Sequence, residues 1–390
     1  MKQNIRIYEF LTIAVMGLFI YYTYQSIIAL GYVGGTGSFA GYVALAAVLI
    51  SLLTMFISKN KAKTNFTRFW WAWIFWLLID FFILGLRGEG LANIWFVTFA
   101  PMTFFFFYNA SSHSDNIRRI ATLGFLAIFI IAFIMNLSFL SYAQVNYNEE
   151  IGITNLVYWC LCAVPFIFLL KKKWLLFAFL VLTTIIILLT GKRSATVCLV
   201  LTFVSILWYS WSKGSKVQNI LFIFVGGIVL YFIIQHYFSY AVEGIIGRMN
   251  DIEASQGSSR IPLYQDVFKV IETNSLLDWL VGRGYGSIII TKHTNAHNDA
   301  LQMLFEYGIV GLVFYLLMLW NAIKSSRALY RHNSPYFMGY LVSLIIFVVL
   351  GMVSNLVVFN SYFAFICAYW GIAEYEISQY KYPKGRVWNI

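Results

Sequence analysis

Residues 292–311 read KHTNAHNDALQMLFEYGIVG. The opening octet, Lys292–Asp299, is polar almost throughout, and from Ala300 the chain turns apolar and stays so to about position 322. An apolar run of that length covers roughly 30 Å of hydrocarbon. The stretch therefore marks the point where a water-exposed loop re-enters a membrane. A histidine, an asparagine and an aspartate at such a boundary are costly unless they meet something polar. That makes His297 and Asn298 the first candidates for chemistry.

The rest of the chain has the same solvent. Hydrophobic residues make up 61% and charged residues 11%, with a mean hydropathy of +0.75, whereas a soluble domain is about 25% charged. The 19% aromatic content suits a protein whose Trp and Tyr collect at headgroup level. No small-x-small cleavage site follows the first apolar run, which reads as a retained span. The net charge of +11 sits in short loops between apolar runs, the positive-inside pattern. No basic face with interleaved aromatics exists to bind nucleic acid. Cys160, Cys162, Cys198 and Cys367 all lie in apolar runs and read as small hydrophobes.

Runs able to span the bilayer occur near 7–30, 39–57, 69–86, 91–108, 120–140, 153–170, 174–190, 195–212, 218–239, 300–322, 336–354 and 357–376. The predicted fold is thus all-α and polytopic, with about twelve transmembrane helices. Placing Lys2 and Arg6 in the cytoplasm puts 19 of the 27 Lys and Arg inside and 8 outside. Both termini are then cytoplasmic. The chain divides into helices over 1–239, a large extracytoplasmic loop over 240–299, and helices with a short tail over 300–390. Within the loop, Ser258-Ser259 can cap a helix with Pro262 in its first turn. Ile261, Tyr264, Phe268, Ile271, Leu276 and Trp279 recur at helical spacing. They predict an amphipathic helix on the outer membrane surface, or one capping a cavity.

Arg193 breaks the charge rule. The turn Thr190-Gly191-Lys192-Arg193-Ser194 lies outside, where Lys and Arg are disfavoured, and is too short to leave the interface. Either both cations snorkel to lipid headgroups or they hold an anion, and the planar guanidinium of Arg193 fits phosphate oxygens in pairs. Arg260 stands at the head of the loop helix, where backbone N–H groups favour anions. It is otherwise a solvated surface arginine, as Arg248 is. His297 can take a proton from a hydroxyl nucleophile, or solvate the loop end. His293 lies four residues before it, but no third metal ligand is evident. Asn298 orients the histidine, donates to an oxyanion, or caps the next helix. The glycines of Gly282-Arg283-Gly284-Tyr285-Gly286 open no βαβ unit and read as a tight turn. Asp80 is predicted buried in mid-span, protonated or paired.

Taken together, Thr190–Ser194, Arg260 with Tyr264, Gly282-x-Gly284, His297-Asn298-Asp299-x-Leu301 and Glu306-x-Gly308-Ile309-Val310-Gly311 resemble the O-antigen polymerase and O-antigen ligase superfamily of bacterial polysaccharide assembly. The resemblance covers roughly the C-terminal half. Two departures stand out: the family commonly has Ser-x-Arg-Gly where this chain has Thr190-Gly191-Lys192-Arg193-Ser194, so that Arg193 maps by position, and often Trp where Tyr264 stands. The resemblance implies a GT-C-like membrane glycosyltransferase, inverting and independent of metal or other cofactor. Its substrate would be a glycan on undecaprenyl diphosphate at the outer face of the cytoplasmic (inner) membrane. In that reading Arg193 and Arg260 hold the diphosphate and His297 is the base. Lys192, Arg248, Tyr264, Arg283, His293 and Asn298 contribute to binding, with the lipid bilayer, a chain-length regulator and a flippase as partners. Polymerase is favoured over ligase. A transporter of lipid-linked glycan would instead need charge at the bilayer midplane and repeated, interrupted helices, and only Asp80 answers to that.

Overall fold

The computed structural model describes residues 2–31, 38–57, 64–84, 94–145, 154–212, 260–292, 295–357 and 360–381. Among them every regular element is helical. The helices are α1 (Lys2–Gly31), α2 (Ser38–Ile57), α3 (Asn65–Leu84), α4 (Ile94–Ser111), α5 (Asn116–Val145), α6 (Val157–Ile167), α7 (Lys173–Thr190) and α8 (Arg193–Ser212). They continue as α9 (Arg260–Glu272), α10 (Leu276–Val281), α11 (Ser287–Lys292), α12 (Asp299–Arg331), α13 (Phe337–Val353) and α14 (Asn360–Lys381). Every expected span coincides with one of these, except that near 218–239, which lies outside the described residues. Among the described residues 6 helices are long and apolar enough to cross a membrane, in α1, α3, α5, α7, α8 and α12. Shorter apolar helices lie in α2, α6 and α13.

The bundle helices share one apolar interior, and α9, α11 and the start of α12 enclose a second, smaller one. α14 runs through the bundle interior alongside α4, and Tyr362–Ala373 are buried without a break. A helix buried on every face carries no amphipathic stripe. Trp70, Trp159 and Trp370 sit fully enclosed in the same core. Buried hydroxyls bond back to the preceding turn, as Thr12 does to the Tyr8 carbonyl at 2.7 Å and Thr202 to Cys198 at 2.8 Å. Hydrocarbon offers them no other partner. All four cysteines are buried and free.

Two expectations change here. The apolar periodicity of Ile261–Trp279 is not one helix. α9 stops at Glu272, and Ser275 opens α10 with a capping box, its side chain accepting from the Asp278 N–H while the Asp278 carboxylate accepts from the Ser275 N–H. The reciprocal cap satisfies N–H groups that a continuing helix would have used differently. Within α9 itself Phe268 points outward, half exposed, while Val267 and Ile271 make the buried face. Asp80 is buried as expected, but four residues from the end of α3 rather than in mid-span.

Candidate functional site

α12 begins where the polar octet ends, because two side chains build its start. Asn298 is the N-cap, its Oδ1 accepting from the Leu301 N–H at 3.0 Å. Its Nδ2 donates to the Met352 carbonyl at the far end of α13 (3.3 Å). Asp299, fully buried, accepts from the Leu356 N–H at 3.0 Å and the Val357 N–H at 3.1 Å. A carboxylate at a helix N-terminus is favoured by the helix dipole, and here it also ties down the turn between α13 and α14. His297 precedes the cap with φ 52°. The left-handed region is uncommon for a residue with a Cβ, and such strain concentrates at functional sites. The His297 carbonyl accepts from the Tyr264 hydroxyl of α9 at 3.4 Å.

Nine residues after its start at Asp299, α12 breaks at Gly308 (φ 64°, ψ −161°). The break frees carbonyls that helical N–H groups would have met. The glycine loop answers them: Arg283 N–H donates to Phe305 O at 3.1 Å and Gly284 N–H to Glu306 O at 2.8 Å. Backbone packs on backbone, since a Cβ at Gly282 would strike Glu306 and Tyr307, and one at Gly308 would strike Leu280. The glycines thus serve close approach as well as turning. Beneath this junction Glu306, Tyr307, Tyr285, Trp73, Pro101 and Phe363 line part of a small cleft.

The second cluster forms at the α7–α8 turn. Gly191 (φ 59°) ends α7 in the left-handed conformation. Lys192 then reaches back, its Nζ donating to Asn155 Oδ1 at 2.7 Å and lying 5.5 Å from the Tyr158 ring centre. Tyr158 and Ser194 share a hydrogen bond of 2.6 Å, and Arg193, half-buried, is the first residue of α8.

Both clusters occupy one end of the bundle. Trp208 meets Tyr330 (5.6 Å) and Tyr209 meets Phe337 (5.2 Å), pinning the far end of α8 to the junction of α12 and α13. From that level Arg193 lies 15 residues back along α8 from Trp208, and Met352 lies 15 residues on from Phe337 along α13. At 1.5 Å per residue each is about 22 Å away in the same direction. Met352 is the residue that Asn298 holds, so Arg193, Lys192, His297 and Asn298 share a height.

The remaining predicted residues divide. Tyr264 meets His297 directly. Arg260 opens α9 as expected of a helix start, with its side chain outside the described residues. Arg248 and His293 lie outside the described residues altogether. Arg283 spends its guanidinium on the end of α9, donating to Asn274 Oδ1 at 2.7 Å and the Val270 carbonyl at 3.1 Å. Asp299, Gln302 and Glu306 were not singled out for their own chemistry. The spacing that could have drawn attention to the last two is i, i+4 from Asn298 onward, one polar residue per turn on one face of an apolar helix.

No curated protein matches the chain. Residues 178–316 match the family model described as O-antigen ligase. That segment runs from within α7, across the Lys192–Arg193 turn and the loop helices, into α12, and so includes Lys192, Arg193, His297 and Asn298. Over that segment the match supports the resemblance to the O-antigen polymerase and ligase superfamily.

Proposed function

We propose that the chain is a polymerase of lipid-linked glycan repeat units, an inverting glycosyltransferase of GT-C-like architecture. It would act on undecaprenyl-diphosphate-linked oligosaccharide at the outer face of the cytoplasmic membrane, with both termini inside. The 240–299 loop would cover the site between the two membrane portions. The observation that carries this reading is the strained His297, which stands at the same bundle end as the Lys192–Arg193 turn, in a segment matched to this family. His297 takes the proton of an acceptor sugar hydroxyl, whose oxygen bonds to the donor's anomeric carbon. The bond from that carbon to the diphosphate oxygen breaks, and the leaving group keeps the electron pair. Arg193 and Arg260 offset its negative charge, which is worth most where water is excluded. Lys192, Tyr264 and Asn298 would contribute to binding around it, and Arg248 and His293 are proposed to join them, whereas Arg283 is committed to the end of α9.

The second reading is a ligase, which moves a finished glycan to another acceptor, and the description of the matching family supports it. Deleting the gene in the source cell and running the surface glycan on a gel separates the two. A polymerase leaves single repeats attached and no ladder. A ligase leaves nothing attached, and an unchanged ladder refutes both.

A further inference from the structure

Gln302 is fully buried one turn into α12, and each hydrogen-bonding arm of its amide is used. Its Oε1 accepts from the Ala296 N–H at 3.3 Å. Its Nε2 donates to Asn295 Oδ1 at 3.1 Å and to Glu306 Oε1 at 2.9 Å. The amide's orientation is dictated by the Ala296 N–H, which only donates and so must meet the amide oxygen, leaving the NH2 for Asn295 and Glu306. Glu306 is itself buried, and its own backbone carbonyl is held by the Gly284 N–H. A continuous series therefore runs from the glycine loop through Glu306 and Gln302 to the two residues that immediately precede His297.

The endpoint of that series is the backbone that needs support. His297 adopts φ 52°, a conformation costing on the order of 1–3 kcal/mol that persists only where neighbours over-determine it. Asn298 and Tyr264 hold it from the C-terminal side and from α9. On its N-terminal side, Gln302 binds both Asn295 and Ala296.

We infer that Gln302 and Glu306 are positioning residues for His297: the carboxylate sets the amide, and the amide sets the loop from which the imidazole projects. This rests on the reading of His297 as the base. The device would act on turnover rather than on donor affinity, since misplacing a catalytic group by about 1 Å can cost on the order of 100-fold.

The test uses the full-length protein in detergent or nanodiscs with lipid-linked repeat units as substrate. Gln302→Leu keeps the side chain's bulk and removes all three hydrogen bonds. It is expected to lower kcat about 10- to 100-fold, leave KM within about threefold, and change the acid limb of the kcat–pH profile. Glu306→Leu should behave the same way. Glu306→Gln, which keeps an acceptor for the amide, should return to within about threefold of wild type. A purely structural role would lower the yield of folded protein while leaving kcat per folded molecule and its pH profile intact. The inference is overturned by that result, by Gln302→Leu raising KM alone, or by Glu306→Gln being as impaired as Glu306→Leu. Failure of the underlying base assignment looks different: His297→Ala would then turn over like wild type, whatever Gln302 variants do.

Discussion

Replacing Gly308 by alanine strikes the junction that gives the site its shape, and its cost can be worked from two observations. The position has φ 64° and ψ −161°, a region essentially reserved for glycine, where another residue costs about 1–3 kcal/mol. The new Cβ would also lie 2.6 Å from the Gly282 nitrogen and strike the Leu280 carbonyl, so the end of α10 must move away. Movement breaks the Arg283–Phe305 and Gly284–Glu306 backbone bonds, at roughly 1 kcal/mol each. Together the loss is about 3–5 kcal/mol, a large part of the 5–15 kcal/mol that typically holds a protein folded. Unfolding in mixed micelles by SDS titration measures it, and hydrogen exchange over 276–292 shows where it acts. Gly282→Ala should do similar damage, and the double variant should cost less than the sum, because both open the same junction. A Gly308→Ala protein within about 0.5 kcal/mol of wild type, with unchanged exchange over 276–292, would refute the reasoning.

Asp299→Ala leaves the Leu356 and Val357 N–H groups without their acceptor and should cost about 2–4 kcal/mol in the same titration. Asp299→Asn, which keeps one acceptor oxygen, should cost roughly half that. Asn298→Ala removes the α12 N-cap and should cost about 1 kcal/mol. The hydrogen-exchange protection of Leu301 reports that loss directly.

The spans were readable because lipid makes length and apolarity nearly sufficient, and α1, α3, α5, α7, α8 and α12 each satisfy both. What escaped were features that depend on partners. The break at Gly308 lies inside an apolar run that continues on both sides, so only the loop docked against it explains it. The split between α9 and α10 had a local sign, Ser275 three residues before Asp278, but the apolar spacing across it suggested continuity. Arg193 and His297 could be singled out as polar residues at a boundary where they are costly. That they share one end of the bundle follows from α13 running back from the junction where α8 and α12 both end, which no single segment states. Gln302 and Glu306 were overlooked because a buried amide–carboxylate pair gains its meaning from the loop it holds.

The central claim is that His297 is the base for glycan transfer. Purified, folded His297→Ala protein with lipid-linked repeat units tests it most directly, by the rate at which product lengthens. The account predicts a loss of at least about 100-fold, with donor binding retained. Chain lengthening at the wild-type rate would contradict it.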